Sequence, residues 1–421
     1  MTKRHLILAV LLGMLFLGWY QVSENPEIVK ETSNNIEQTK NTNTEQDLKT
    51  LSHLSKKVIN EIKSSNDLES SDSEEQDTKP VKKEAVLADK YDEKIKAMTY
   101  YRSQLSSDDQ KTYDDLLYGI KSHQKEIDID NRSAEEADVI FNAVSNDHPE
   151  VFYVNGYVYS STILKDFPVT VMAMIEPNYT MNNDMIKENQ ILIYASIENE
   201  LDTIQKSGSD FNKMKEIYDY IVENTNYDES ATDNQNICSV FINKSSVCNG
   251  YAKAEQYLCD ISGIRNIFLT GKSDGELHAW NLVRLDGAYY NSDVTWGEYM
   301  NDSESFDGVN HEYMSVPDKW ISSTHQRDTE FRTMPKCESD ADDYYIHEGK
   351  FVSSIDEKTM SRIFRSKDKV ISFRCSDSKV SNKAIEYLIG NSGIYNYLPE
   401  AKSGGVKYNT SDDTHVITFW R

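Results

Sequence analysis

The sequence predicts an α+β protein in which a cysteine-bearing helix packs on an antiparallel sheet. Small α+β modules flank this core, and an N-terminal membrane segment and a disordered tether precede it. Three observations carry the prediction. Apolar residues at helical spacing alternate with β-branched and aromatic runs along the ordered part of the chain. The pair Asp286–Gly287 marks a two-residue hairpin turn, and residues 21–88 lack the apolar content needed to fold.

In chain order, residues 1–20 ("MTKRHLILAVLLGMLFLGWY") place Lys3 and Arg4 before an apolar run from Leu6 to Tyr20, the layout of a signal peptide or signal anchor. No small-x-small cleavage site or lipobox cysteine follows it, and Trp19–Tyr20 suits a membrane interface. Residues 21–88, rich in Ser, Asn, Thr, Glu and Lys, read as a polar linker. Residues 89–180 form an N-terminal module. "LSSDDQKTYDDLLYGI" reads as a helix capped by Ser107, and "RSAEEADVIFNAV" as one with a Ser133/Glu136 capping box; "HPEVFYVNGYVYSS" and "FPVTVMAMIEP" read as strands. Residues 181–335 hold two further helical runs and the candidate chemistry. Beyond Pro335, residues 336–421 read as a C-terminal α/β module, in which the acidic "CESDADDYY" separates off a last segment carrying "KVISFRC", "NKAIEYLIGN" and "HVITFWR".

Composition narrows the partners. With 421 residues and a formal net charge of −25, the chain shows no basic patch for nucleic acid. There is no Gly-rich phosphate loop, His-Glu-x-x-His or paired CxxC, so no cofactor and no metal site is expected. "DIDNRSAEE" lacks the glycine and terminal glutamate of a calcium loop, and helix capping explains it better. The five cysteines, Cys238, Cys248, Cys259, Cys337 and Cys375, leave at least one thiol unpaired within the chain.

The candidate chemistry starts at "SSVCNGYAKAEQYLC". Val247, Tyr251, Ala254, Leu258 and Ile261 form one apolar stripe, Gly263 supplies the stop, and Ser245 and Ser246 are candidate caps. Cys248 therefore falls in the first helical turn, where unpaired N–H groups and the helix dipole favour a thiolate and offer a cradle for an oxyanion. Downstream, "HAWNLVRLDGAYYNSDVTW" is a hairpin in which the Asp286–Gly287 turn sets Leu285 opposite Ala288. Extending that register puts Trp280 opposite Asp293 and His278 opposite Thr295, so His278, Trp280 and Asp293 share a face with His278 and Asp293 as diagonal neighbours. A thiol, a histidine to take its proton and an aspartate to orient the ring follow the logic of acyl transfer.

"VCNGYAKA" and "HAWNLVRLDGAYYNSDVTWG", with Asp293 15 residues after His278, resemble the core of the transglutaminase-like superfamily, which shares a papain-like architecture with cysteine proteases. The resemblance is close over residues 217–296, and "DHPEVFYV" and "NHEYMSVPDKW" are similar to exported bacterial members. It implies Cys248 as nucleophile, His278 as base and Asp293 as orienting acid. Asn249 stands where the family often has Gln, and Val294 where it often has Pro; neither removes a catalytic group. The implied activity is that of a peptidase at the cell surface acting on peptide or protein substrates, with membrane attachment through residues 1–20 if uncleaved. The alternatives are a protein-crosslinking transglutaminase and a non-catalytic surface binding or scaffold protein. Cys238 and Cys259 read as core, His311 and His325 as structural residues on a loop and a helix, and Trp280 and Trp296 as core or cleft wall.

Overall fold

A computed structural model describes residues 94–163, 170–301, 304–328, 333–366 and 368–420, all within one unit of the chain, Gln76–Arg421. The expected membrane segment and the linker, residues 1–20 and 21–88, lie outside the described residues. Among the described residues, no helix is long and apolar enough to cross a membrane.

Helix α1 (Ser107–Lys121) is capped one residue earlier than the sequence suggests. Ser106 Oγ accepts the Asp109 N–H at 3.2 Å, which leaves Ser107 inside the first turn. Helix α2 (Ala134–Asp147) has the expected capping box, Ser133 accepting from Glu136 N–H and Glu136 Oε2 from Ser133 N–H. Strands β1 (Val154–Ile163) and β2 (Thr170–Tyr179) pair antiparallel, and the short segment Ile127–Asp128 adds to the β2 edge. Two long amphipathic helices follow, α3 (Asn183–Lys206) and α4 (Asp210–Asn224), each started by a side-chain cap, from Asn182 and Ser209.

Helix α5 (Cys248–Ser262) is buried along most of its length and ends at Gly263, whose φ of 82° is the left-handed stop. It packs on a four-stranded sheet built from β3 (Arg265–Ser273), β4 (Glu276–Leu285), β5 (Ala288–Ser292) and the short edge strand β6 (His325–Arg327), in the order β6-β3-β4-β5 with every pairing antiparallel. The β4–β5 turn has φ of 45° at Asp286 and 92° at Gly287, the double positive φ of the tightest hairpin turn, and Leu285 pairs with Ala288 as the sequence requires.

One hydrophobic core runs from Ile95 to Tyr345 and also takes in Val416. It joins the helices that precede β1 to α5 and its sheet. A second core, from Val352 to Phe419, lies beneath β7 (Phe351–Val352), β8 (Val370–Cys375), β9 (Lys407–Thr410) and β10 (Val416–Trp420), in the order β7-β8-β10-β9.

Candidate active site

Cys248 is the first residue of α5. The residue before it, Val247, is extended and provides no side-chain cap, so neither Ser245 nor Ser246 caps the helix as expected. Both serines instead form a two-residue strand pairing with Asn226–Tyr227, and Ser246 Oγ bonds Ser239 Oγ at 2.6 Å and donates to the Asn234 carbonyl at 3.0 Å. The N–H groups of the first turn of α5 thus receive no side-chain cap beside the thiol. Asn249 Nδ2 donates to the Gln235 carbonyl at 2.7 Å and ties the turn down from outside. The thiol is half-buried against Ala252, Phe268 and Ala279.

His278 stands on β4 facing this turn, and its side chain is 8% exposed. Nε2 lies 2.7 Å from Asp293 Oδ2 and, because a carboxylate only accepts, must donate. The other nitrogen is the one left for Cys248, whose sulfur lies close enough to the ring to help raise its pKa. Burial alone would strip the ring of its proton, but the Asp293 carboxylate and then Cys248 outweigh that and raise the His278 pKa to about 10. Asp293 is fully buried. Burial would raise its pKa, yet His278 and a second imidazole hold it well below the ordinary carboxylate range.

The predicted ladder holds from Leu285–Ala288 to Asn281–Ser292 and then stops. Asp293 does not pair with Trp280, because it leaves the strand to open the 3₁₀ turn Val294–Gly297 and accepts the Thr295 N–H on Oδ1 at 3.1 Å. The aspartate therefore caps a turn and holds a histidine with the same carboxylate, one oxygen for each task.

The second imidazole belongs to His325. The sequence placed it on a helix as a structural residue; it lies instead on strand β6, with Nε2 2.8 Å from the same Asp293 Oδ2. His311 keeps a structural place, buried, 2.6 Å from Asp219 Oδ1 and stacked on Tyr344. Trp280 is core, 1% exposed, whereas Trp296 is partly buried beside His278 and His325. Tyr227, which the sequence did not single out, is 41% exposed and close enough to Cys248 for the thiol's charge to add to burial in raising its phenol pKa.

His278, Asp293 and His325 bring nitrogen and oxygen atoms within 4.8 Å of one another, a set able in principle to hold a metal ion. Two atoms bonded to one tetrahedral ion lie roughly 3.3 Å apart. The separations of 2.7 and 2.8 Å are instead hydrogen-bond lengths. Among the other thiols, burial raises Cys238 and Cys259 and pushes Cys337 and Cys375 up to about 12, and all five cysteines are free.

Residues 199–294 match the family model described as the transglutaminase-like superfamily. The chain is 28% identical to the Kyphoscoliosis peptidase of Mus musculus over 134 residues, 27% of this chain and 20% of the mouse protein. It is 26% identical to that of Homo sapiens over 119 residues, 24% of this chain and 18% of the human protein. The matched segments thus span about a fifth of these relatives' length. Among solved structures, a TGase crystal structure gives 15% identity and a TM-score of 0.27 over 44% of this chain and 55% of that one. A candidate cysteine protease from Cytophaga hutchinsonii gives 14% and 0.24 over 41% and 65%.

Proposed function

Given that the chain is a transglutaminase-like superfamily protein over residues 199–294, we propose that it is a cysteine acyl-transfer enzyme that opens peptide or protein amide bonds through a thioester at Cys248. One observation carries this reading: a half-buried thiol at an uncapped helix start meets a histidine whose far nitrogen is tied to a buried carboxylate at 2.7 Å.

His278, its pKa raised to about 10, holds a proton beside the Cys248 sulfur, and it is the sulfur's deprotonated form that reacts. The sulfur attacks the amide carbon, and the oxygen, now negative, meets the free N–H groups at the start of α5. As the C–N bond breaks, His278 gives its proton to the leaving nitrogen and a thioester remains. The acceptor then attacks that carbonyl while His278 takes its proton, the C–S bond breaks and the thiolate returns. Asp293 holds the ring in the tautomer both steps need. Water as acceptor makes the enzyme a peptidase, an amine a crosslinking transglutaminase. The hydrolytic choice takes support from the curated relatives, which are named as peptidases.

In this proposal the enzyme works at the outer face of a bacterial membrane. The support is the sequence of residues 1–20 and the polar stretch after it. Cell fractionation tests this, and recovery of the chain in the cytosol would reject it.

The catalytic reading is tested on the full chain with brief, substoichiometric iodoacetamide at pH 6, read by intact mass and peptide mapping. Cys248 is expected to take the label selectively and to lose that selectivity in His278→Ala. Labelling spread over several cysteines, or none at Cys248, would sink the enzyme reading in favour of a surface binding protein. Peptides offered with and without a primary amine then separate the outcomes: a conjugate without cleavage would reject the peptidase version.

A further inference from the structure

His325 enters the site through an element built to bring it there. Strand β6 pairs with β3 through His325–Ser273, Gln326–Lys272 and Arg327–Gly271. A Cβ on Gly271 would fall 2.2 Å from the Gln326 carbonyl oxygen and 2.7 Å from the Trp280 ring, so the glycine is what lets β6 and the tryptophan close in. The His325 ring is then enclosed by Trp280, Trp296, Tyr313 and His278, with centroids 5.1, 4.9, 5.4 and 5.5 Å away.

Within that cage both ring nitrogens have partners. Nε2 faces Asp293 Oδ2 at 2.8 Å and must carry a hydrogen. Nδ1 faces Thr324 Oγ1 at 2.8 Å, and a hydroxyl can donate or accept there, so the Nε2 hydrogen stays in place either way. Asp293 Oδ2 is therefore shared by two imidazole donors while Oδ1 is held by the Thr295 N–H. A carboxylate with donors on both oxygens cannot rotate without losing one, and an oxygen shared by two donors gives each only part of its charge.

Resting on the catalytic reading above, we propose that His325 is a positioning residue for the His278–Asp293 pair: by donating to Asp293 Oδ2 it fixes the carboxylate's rotation and keeps His278 from drawing the whole of its charge. His325 touches neither substrate nor thiol in this role and acts through Asp293.

The test compares two replacements in the full chain. His325→Gln keeps an N–H donor at similar reach; His325→Leu fills the space without one. Two readouts are taken: the rate of Cys248 labelling by iodoacetamide at pH 6, and the ¹H–¹⁵N resonance of the His278 Nε2–H in protein labelled with ¹⁵N-histidine. In His325→Leu we expect labelling to fall about tenfold, the scale of losing a group that orients a reactive side chain, and the His278 proton to move downfield as its bond to Asp293 strengthens. His325→Gln should largely restore both. Should the leucine variant not fold, His325→Asn, polar but too short to reach Asp293, takes its place with the same expectation.

Labelling and resonance both unchanged in His325→Leu, or Gln and Leu equally impaired, would overturn the proposal and leave His325 as packing. If the wild type is not labelled at Cys248 yet the His278 resonance moves in Leu and returns in Gln, the catalytic reading fails and the positioning role stands. If wild-type labelling depends on His278 but is indifferent to residue 325, the catalytic reading stands and the positioning role fails.

Discussion

Two turns after Cys248, Glu255 lies fully buried on α5, accepting from Ser292 Oγ at 2.8 Å and Asn266 Nδ2 at 3.4 Å. Burial, helped by the nearby Asp293 charge and opposed by those two bonds, raises its pKa to about 8. An unfolded glutamate titrates near ~4.3. Between these values the unfolded state gives up its proton and the folded state keeps it, so stability falls as pH rises from about 4 to about 8. Each unit of difference is worth ~1.4 kcal/mol. Glu255→Gln, neutral throughout, should match wild type near pH 4 and exceed it by a few kcal/mol near pH 8.5 in urea unfolding; equal stabilities at both pH values would mean Glu255 is ionised when folded. Neither the buried Glu255 nor the contact of His325 with Asp293 was legible in the sequence. Helical spacing put Cys248 in a first turn and the two-residue hairpin turn brought His278 and Asp293 near each other, both local rules. The ladder nevertheless ends at Asn281–Ser292, and Asp293 reaches His278 from the turn beyond it rather than from the predicted register. His325 reaches Asp293 through a three-residue edge strand 32 residues further on, and "THQR" carries no periodic signal.

The start of α5 shows the same division among elements. The stripe and the Gly263 stop were readable, but the caps were not: Ser245 and Ser246 are drawn into a two-residue strand by Asn226–Tyr227, a pairing no local pattern announces. Gly250 explains why the helix can begin there. A Cβ at 250 would lie 2.0 Å from Ser246 Oγ and 2.7 Å from Ser239 Oγ, so the turn carrying the thiol presses directly on the hydroxyl pair beneath it. Alanine normally gains up to ~1 kcal/mol over glycine inside a helix. Here Gly250→Ala should instead cost about 1–3 kcal/mol through overpacking and slow Cys248 labelling, and adding Ser246→Ala should recover part of both. A stabilised Gly250→Ala protein, measured by urea unfolding, would show that the helix start has room the structure does not give it.

At the scale of the molecule, the acidic run 337–345 read as a separator, since composition alone makes "CESDADDYY" a solvated link. It is largely interior: Cys337, Asp343 and Tyr345 are fully buried, and Asp343 pairs with the equally buried Arg374 of β8. Arg374 also donates to the Glu312 carbonyl at 2.6 Å, and its guanidinium lies 5.0 Å from both the Trp320 and Tyr345 ring centres. The residue after Glu312, Tyr313, packs against His325 and Trp296, so this one arginine joins the C-terminal sheet to the wall of the site. Removing one partner of a buried pair strands the other, at a cost of about 3–5 kcal/mol. Arg374→Met should lose that much in urea unfolding, and the double variant with Asp343→Asn should regain most of it because no charge is then left unpaired. If the arginine also couples the two cores, wild type unfolds in one transition and Arg374→Met in two, the sheet containing β8 melting first. A single unshifted transition in Arg374→Met would mean the cores are held together by the apolar contacts around Val416 and that the ion pair contributes nothing net.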